Sequence, residues 1–303
     1  MRSLLIFTLV GVGAQLVDGA LGMAFGVTAT TLLVLSSVGA AQASAAVHLA
    51  EVGTTLASGL SHWRFKNIDW SIVLKLGGPG AIGAFVGATV LSSLSTEHAA
   101  PLMAAILVVI GAYVLLRFSL RNPPVLRHGE TPHSARFLSP LGLFGGFIDA
   151  SGGGGWGPVT TSTLLSRGKT APRTVIGSVS ASEFLVAASA SVGFGVGLRE
   201  EFVQNLPVVL GLAIGGVIAA PIAAWLVSRI NPALLGSAIG GIIVLTNSQK
   251  LVHYFGIQWP WSTALYSTIV IGWVALVYVA WRTSRAAQPA PVADELEPVV
   301  TGR

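Results

Sequence analysis

The chain has 303 residues, 52% hydrophobic and 10% charged, with a mean hydropathy of +0.75. A soluble domain carries about 25% charged residues, so the composition excludes a soluble globular protein and fits an integral membrane protein. The absence of cysteine excludes disulfides, thiolate metal sites and thiol redox chemistry. The net charge of +5 reads as basic cytoplasmic loops, with no nucleic-acid partner expected.

Apolar segments run over about 4–18, 26–38, 42–61, 71–93, 99–117, 137–150, 158–166, 174–196, 205–228, 233–250 and 264–281. Short polar loops separate them, which predicts an all-α polytopic membrane protein; barrel strands would alternate over about 10 residues. The first segment follows Arg2 and runs into Gln15 and Asp18 without a small-x-small cleavage site, so it is read as a retained membrane segment. A full span needs about 20 residues. The first two segments, and the sixth and seventh, fall short of that and read as broken or re-entrant hairpins.

Two stretches repeat. Asp18, Phe25 and Gly26 align with Asp149, Trp156 and Gly157, and Gly22 aligns with Gly153. Further on, Glu51 aligns with Glu183 after one inserted residue, and Ser180 stands where the first half has His48. Each half thus holds a broken hairpin and three full helices. An odd number of crossings inverts the second half, which is the plan of many secondary transporters.

Charge supports the inversion. With each short hairpin returning to its own side, 14 of the 17 Lys and Arg residues fall on one face, and only Arg2, Arg199 and Lys250 fall on the other. The positive-inside rule makes the first face cytoplasmic. The expected layout is a first membrane repeat over 1–117, a basic cytoplasmic linker over 118–136 and a second repeat over 137–250. An outer loop and one extra transmembrane helix follow over 251–282, then a disordered cytoplasmic tail over 283–303. The expected location is the inner (plasma) membrane, multi-pass, with the C-terminus cytoplasmic. Small-xxx-small pairs (Gly83/Gly87, Gly142/Gly146, Gly193/Gly197, Gly211/Gly215, Gly236/Gly240) predict close helix packing, and residues 253–261 predict an interfacial aromatic belt.

The residues with chemistry cluster at the breaks. Glycines cost about 1 kcal/mol each inside a helix, so the run 152–155 ends one helix, and Pro158 suits the first turn of the next. The N–H groups of Gly153, Gly154, Gly155 and Gly157 then lie unpaired at a positive helix end, either as an anion cradle or as a tight re-entrant bend. Thr160, Thr161 and Ser180 place hydroxyls nearby.

Four acids, Asp18, Glu51, Asp149 and Glu183, lie in or beside apolar segments, where a charge costs about 2.5–3.5 kcal/mol even on insertion scales. Asp18 and Asp149 either cap the broken helices or couple ions. Glu51 and Glu183 are mid-helix, where capping is not available, and read as a proton or cation relay. His48 shares a helix face with Glu51, and either exchanges a proton with it or bonds a neighbouring helix. Two ligands are too few for a metal site. Gly168-Lys169-Thr170 ends like a P-loop, but Thr163 stands where the first glycine belongs and no strand precedes it. No catalytic motif points to an ATPase or a hydrolase, and no cofactor is expected.

The pattern 146–158, with its glycine run closed by proline, together with Gly168, Pro172 and 177–180, resembles the sulfite exporter TauE/SafE family over about residues 5–250. The family's glycine motif falls on Gly153, Gly154, Gly155, Gly157 and Pro158. The first copy departs from it: Met23 and Ala24 replace two glycines and Val27 replaces the proline. The resemblance implies a duplicated transporter of small sulfur-containing or organic anions such as sulfite, sulfoacetate or related sulfonates. The expectation is an ion-coupled exporter in which the two repeats rock to alternate access. Its rivals are a cation transporter using the same acids and a non-transporting scaffold subunit.

Overall fold

The computed structural model describes residues 2–21, 23–120, 133–167, 169–199, 206–227 and 231–286. All regular structure among these residues is helical. In chain order the helices are α1 (Arg2–Leu21), α2 (Phe25–Leu35), α3 (Ala40–Arg64), α4 (Trp70–Ser93) and α5 (Thr96–Leu120). The second set is α6 (Ala135–Gly152), α7 (a π-helical turn Gly157–Thr161 continued by Ser162–Arg167), α8 (Pro172–Leu198), α9 (Leu206–Val227) and α10 (Pro232–Tyr254). Helix α11 (Trp261–Ala286) follows. Gly22, the linker stretch 121–132 with Arg121 and Arg127, Gly168, Arg229 and the tail from 287 lie outside the described residues.

All eleven expected segments form helices, with different ends. Helices α1 and α6 run to Leu21 and Gly152, past the hydropathy breaks at Asp18 and Ala150. At the end of α6 the residues Asp149, Ala150, Ser151 and Gly152 stay helical while buried in protein. Among the described residues four helices are long and apolar enough to cross a membrane: Trp70–Ser93, Glu97–Leu120, Thr174–Leu198 and Trp261–Ser284. Helix α3 has the length, at 25 residues, but its face of Gln42, Ser44, His48, Glu51, Thr54 and Thr55 lowers its hydropathy. A second π-helical segment, Val73–Gly77, interrupts α4 just after Asp69 caps its first turn.

The packing comes in matched sets. Helix α1 packs along α9, and α6 packs along α4. Helix α3 meets α9 as α8 meets α4, while α3 meets α8 and α5 meets α10 directly. Glycine lets these pairs close. A Cβ on Gly11 would overlap the Leu212 backbone, and one on Gly215 would overlap Thr8, between α1 and α9. Gly83, Gly87, Gly142 and Gly146 do the same between α4 and α6. Gly236 and Gly240 bring α10 against Phe118 and Leu115 of α5, and Gly193 and Gly197 bring α8 onto α4. The expected small-xxx-small contacts are therefore all present, and dispersion at these close approaches is what joins helices in lipid.

Leu76, Leu91, Met103, Leu107, Leu138, Trp156, Phe194 and Ile243 fill the core between them. Helix α11 stands outside, held to α10 and α5 with Trp273 donating its indole N–H to the Ser237 carbonyl at 3.1 Å. The aromatic stretch before it leaves Tyr254, Phe255, Trp259 and Trp261 exposed.

Candidate functional site

Both hairpins turn on an aspartate. Helix α1 ends beyond Asp18, and Asp18 Oδ1 accepts hydrogen bonds from the N–H groups of Ala24 and Phe25 at 2.9 and 3.1 Å. These are donors that the start of α2 would otherwise leave orphaned. In the second hairpin Asp149 Oδ1 accepts from the Trp156 N–H at 2.8 Å, just before α7. The capping expected of both acids is thus present.

The second turn is the tighter one. Gly153 adopts φ 71° and Gly154 φ 135°, the left-handed region that glycine tolerates without a Cβ penalty. The N–H groups of both glycines donate to the Asp149 carbonyl, that of Gly154 at 2.8 Å. Two of the four glycine N–H groups expected to be unpaired are therefore used in closing the turn. The physical reason is that an αL cap returns the chain onto the last carbonyls of its own helix. Gly155 and Gly157 remain as the run's candidate donors to a ligand.

The hairpins meet tip to tip. A Cβ on Gly154 would overlap the backbone of Gly26 and Val27, and one on Gly26 would lie 2.8 Å from Gly154 Cα and 3.0 Å from Glu51 Oε1. The Thr30 hydroxyl donates to the Gly153 carbonyl, tying α2 to the second turn. Beside this crossing lies a cavity of about 690 Å³. The hairpins give it Asp18, Met23, Phe25, Asp149, Trp156 and Thr161. Helix α3 adds Glu51, Thr54, Thr55, Ser58 and His62, and α8 adds Ile176, Val179, Ser180 and Glu183. All four acids line this one cavity, and no Lys or Arg is among the described residues that do. Glu51 is only 4% exposed.

The family model described as sulfite exporter TauE/SafE matches residues 7–250. The chain belongs to the sulfite exporter TauE/SafE family. It is 47% identical over 281 residues to the probable membrane transporter protein YtnM of Bacillus subtilis (strain 168), covering 91% of this chain and 92% of that one. No solved structure matches the chain. It is accordingly a multi-pass protein of a membrane transporter family.

The structure sorts the residues expected at the TauE/SafE site. Gly154, Gly155, Gly157, Thr161, Ser180 and the four acids line the cavity; Gly153, Thr160 and His48 do not. Thr160 is fully buried and its hydroxyl donates to the Trp156 carbonyl at 2.5 Å, bridging the turn of its own helix. Gly153 is covered by Thr30. His48 is fully buried behind the wall, with its Nε2 3.1 Å from Asp149 Oδ2, so of its two expected roles it takes the bond to a neighbouring helix. Ser180 Oγ lies 2.8 Å from Ser58 Oγ across α3 and α8.

Sequence reasoning missed Thr54, Thr55, Ser58 and His62. The signal was there: from Glu51 they fall at i+3, i+4, i+7 and i+11, one stripe of a helix. Ile176, Val179, Ser180 and Glu183 form the matching stripe of α8. Trp156 was noted only as a repeat landmark, yet it is fully buried and donates its indole N–H to the Val179 carbonyl at 3.2 Å, pinning the second hairpin to α8.

Proposed function

We propose that this chain is an ion-coupled secondary transporter, an exporter, of a small sulfur-containing or organic anion such as sulfite, sulfoacetate or a related sulfonate. The observation that carries the reading is a cavity between two broken hairpins that gathers four carboxylates from four helices and no Lys or Arg among the described lining residues. Two unit charges about 8 Å apart repel by roughly 2 kcal/mol at an effective dielectric of about 20. Four ionised acids would expel an oxyanion, so the anion enters with protons. A protonated Glu51 or Glu183 changes from pure acceptor to O–H donor, and each then offers the oxyanion a hydrogen bond alongside Thr161, Ser180 and the N–H groups of Gly155 and Gly157. Binding and protonation are coupled by charge alone.

The two halves are read as inverted repeats, supported by the paired packing of α1 with α9 and of α6 with α4 and by the bias of Lys and Arg to one face. That face is cytoplasmic in this reading, and the C-terminus with it. The glycine contacts tie each hairpin to the fourth helix of the other half. The bodies that rock to alternate access are therefore cross-half pairs, not the halves as they occur in sequence.

A second reading has one specific observation in its favour: the same acidic wall suits a cation as substrate. Among the described residues no group of three His, Cys, Asp or Glu side chains is placed to hold a metal ion together, so that cation would be monovalent or organic. Proteoliposomes loaded with sulfite or sulfoacetate separate the two. Anion efflux that accelerates with an imposed pH gradient and carries protons supports the first reading. Sodium or potassium flux without anion movement overturns it.

A further inference from the structure

His48 does not touch the cavity, yet it is the sole described side chain that bonds Asp149 from another helix. Its ring is fully buried, tilted against Phe194 of α8 at 6.0 Å between centroids. Nδ1 lies 2.8 Å from the Ser44 carbonyl, one turn back along α3. A carbonyl accepts and never donates, so Nδ1 carries a hydrogen. Nε2 faces Asp149 Oδ2 at 3.1 Å. That second contact also needs one hydrogen. Either Nε2 holds it and an imidazolium meets a carboxylate, or Oδ2 holds it and a carboxylic acid donates to a neutral ring. In both cases the pair has the same proton count and no net charge. Ser44 closes the frame, its hydroxyl donating to the Ala150 carbonyl at 2.6 Å.

We infer that His48 is a positioning residue that shares a single locked proton with Asp149, leaving Asp18, Glu51 and Glu183 as the acids that exchange protons with the cavity. The inference rests on the proton-coupled reading above for its consequence, though not for its geometry. The titratable groups facing the pair are Glu51, one turn further along α3, Glu183 on α8 and Asp18 on α1, all on the shared cavity. A pair kept at zero net charge in this way lets Asp149 hold the Trp156 cap through every stage of a transport cycle, so the second hairpin keeps its shape while charge comes and goes around it. Among the described residues the first hairpin has no such device: Ser180 occupies the position matching His48, and it bonds Ser58 instead.

The first test needs no substrate. In solid-state NMR of histidine-labelled full-length protein in liposomes, the His48 signals are those lost in His48→Gln. Nδ1 is expected to be protonated, and a strongly deshielded proton should correlate with Nε2 and vanish in Asp149→Asn. Both nitrogen shifts should stay fixed from about pH 5.5 to about pH 8.5, the window in which a free imidazole changes charge. A His48 that titrates through that window, or that has no proton between Nε2 and Asp149 Oδ2, overturns the inference, and the pH series is recorded on wild-type protein. The second test uses sulfite flux. His48→Gln leaves Asp149 as an extra exchanging acid and shifts the pH dependence of flux, and His48→Gln with Asp149→Asn brings the profile back toward wild type. A double variant that stays shifted overturns the inference. Wild-type protein without flux of sulfite, sulfoacetate or a related sulfonate sinks the proposed function instead, and the NMR result still decides the role of His48.

Discussion

The two hairpins answer one structural problem differently. Each must end a helix within the protein interior, reverse, and start another, and each uses an aspartate to bind the N–H groups at the restart. The first does so with Asp18 and ordinary side chains at 23–25. The second adds two left-handed glycines, a π-helical restart and a histidine from α3 that holds the other carboxylate oxygen. One end is capped; the other is capped, crossed and bolted. Similar backbone plans thus carry unequal constraint, and in the proposed cycle the constrained side is the fixed surface against which the other moves.

This asymmetry can be broken experimentally, and the largest effect belongs to the crossing point. Gly154→Ala combines a backbone conformation that L-residues rarely adopt with overlap onto Gly26 and Val27. It is expected to cost about 4 kcal/mol from strain and overpacking together. The opposite member, Gly26→Ala, has the contact without the strained φ and should cost about 2 kcal/mol. Thermal unfolding in detergent ranks them, and equal losses would mean that the second turn is no more constrained than the first.

The caps come next. Asp149→Ala leaves the buried His48 Nε2 without its partner and removes the Trp156 cap, and should cost about 3 kcal/mol, as removal of one partner of a buried pair does. Asp18→Ala loses a cap and should cost about 1 kcal/mol. The same unfolding assay applies, and a reversed order would dismiss the bolt.

Mid-helix acids test coupling. Glu51→Gln and Glu183→Gln keep shape and hydrogen bonding but fix the group uncharged. Each should remove the acceleration of anion efflux by a pH gradient, a coupling of about 1–3 kcal/mol or roughly 5–150-fold. Efflux assays at matched and unmatched pH read it, and a gradient effect that persists in both variants ends the relay idea. The smallest effect is that of Ser180→Ala. Losing the hydroxyl pair with Ser58 should cost about 1 kcal/mol of stability, with the pH profile of efflux unchanged. A shifted profile would mean that α8 has its own counterpart of His48.

Much of the fold was legible in the sequence because lipid leaves few options. Apolar runs have to be helices, and the small-residue pairs at 83/87, 142/146 and 211/215 turned out to be contact points, since only small residues let backbones approach. The aspartates were legible as either caps or ion-coupling groups from their place before each restart, and the capping hydrogen bonds are present in the fold. What the sequence left open was which glycines face a ligand. Gly153 and Gly154 look alike in a run of four, yet one is covered by Thr30 and the other lines the cavity while giving its N–H back to Asp149.

The membrane class, the helices, the family resemblance and the four acids in or beside apolar segments were readable from the chain alone, because hydropathy, charge bias and motif spacing are local properties. That those acids share one cavity, that His48 turns away from Glu51 toward Asp149, and that each hairpin packs on the fourth helix of the other half became visible in the packed fold alone. These are contacts between residues about a hundred positions apart. They are set by how helix faces rotate and close on glycine, which no local pattern specifies.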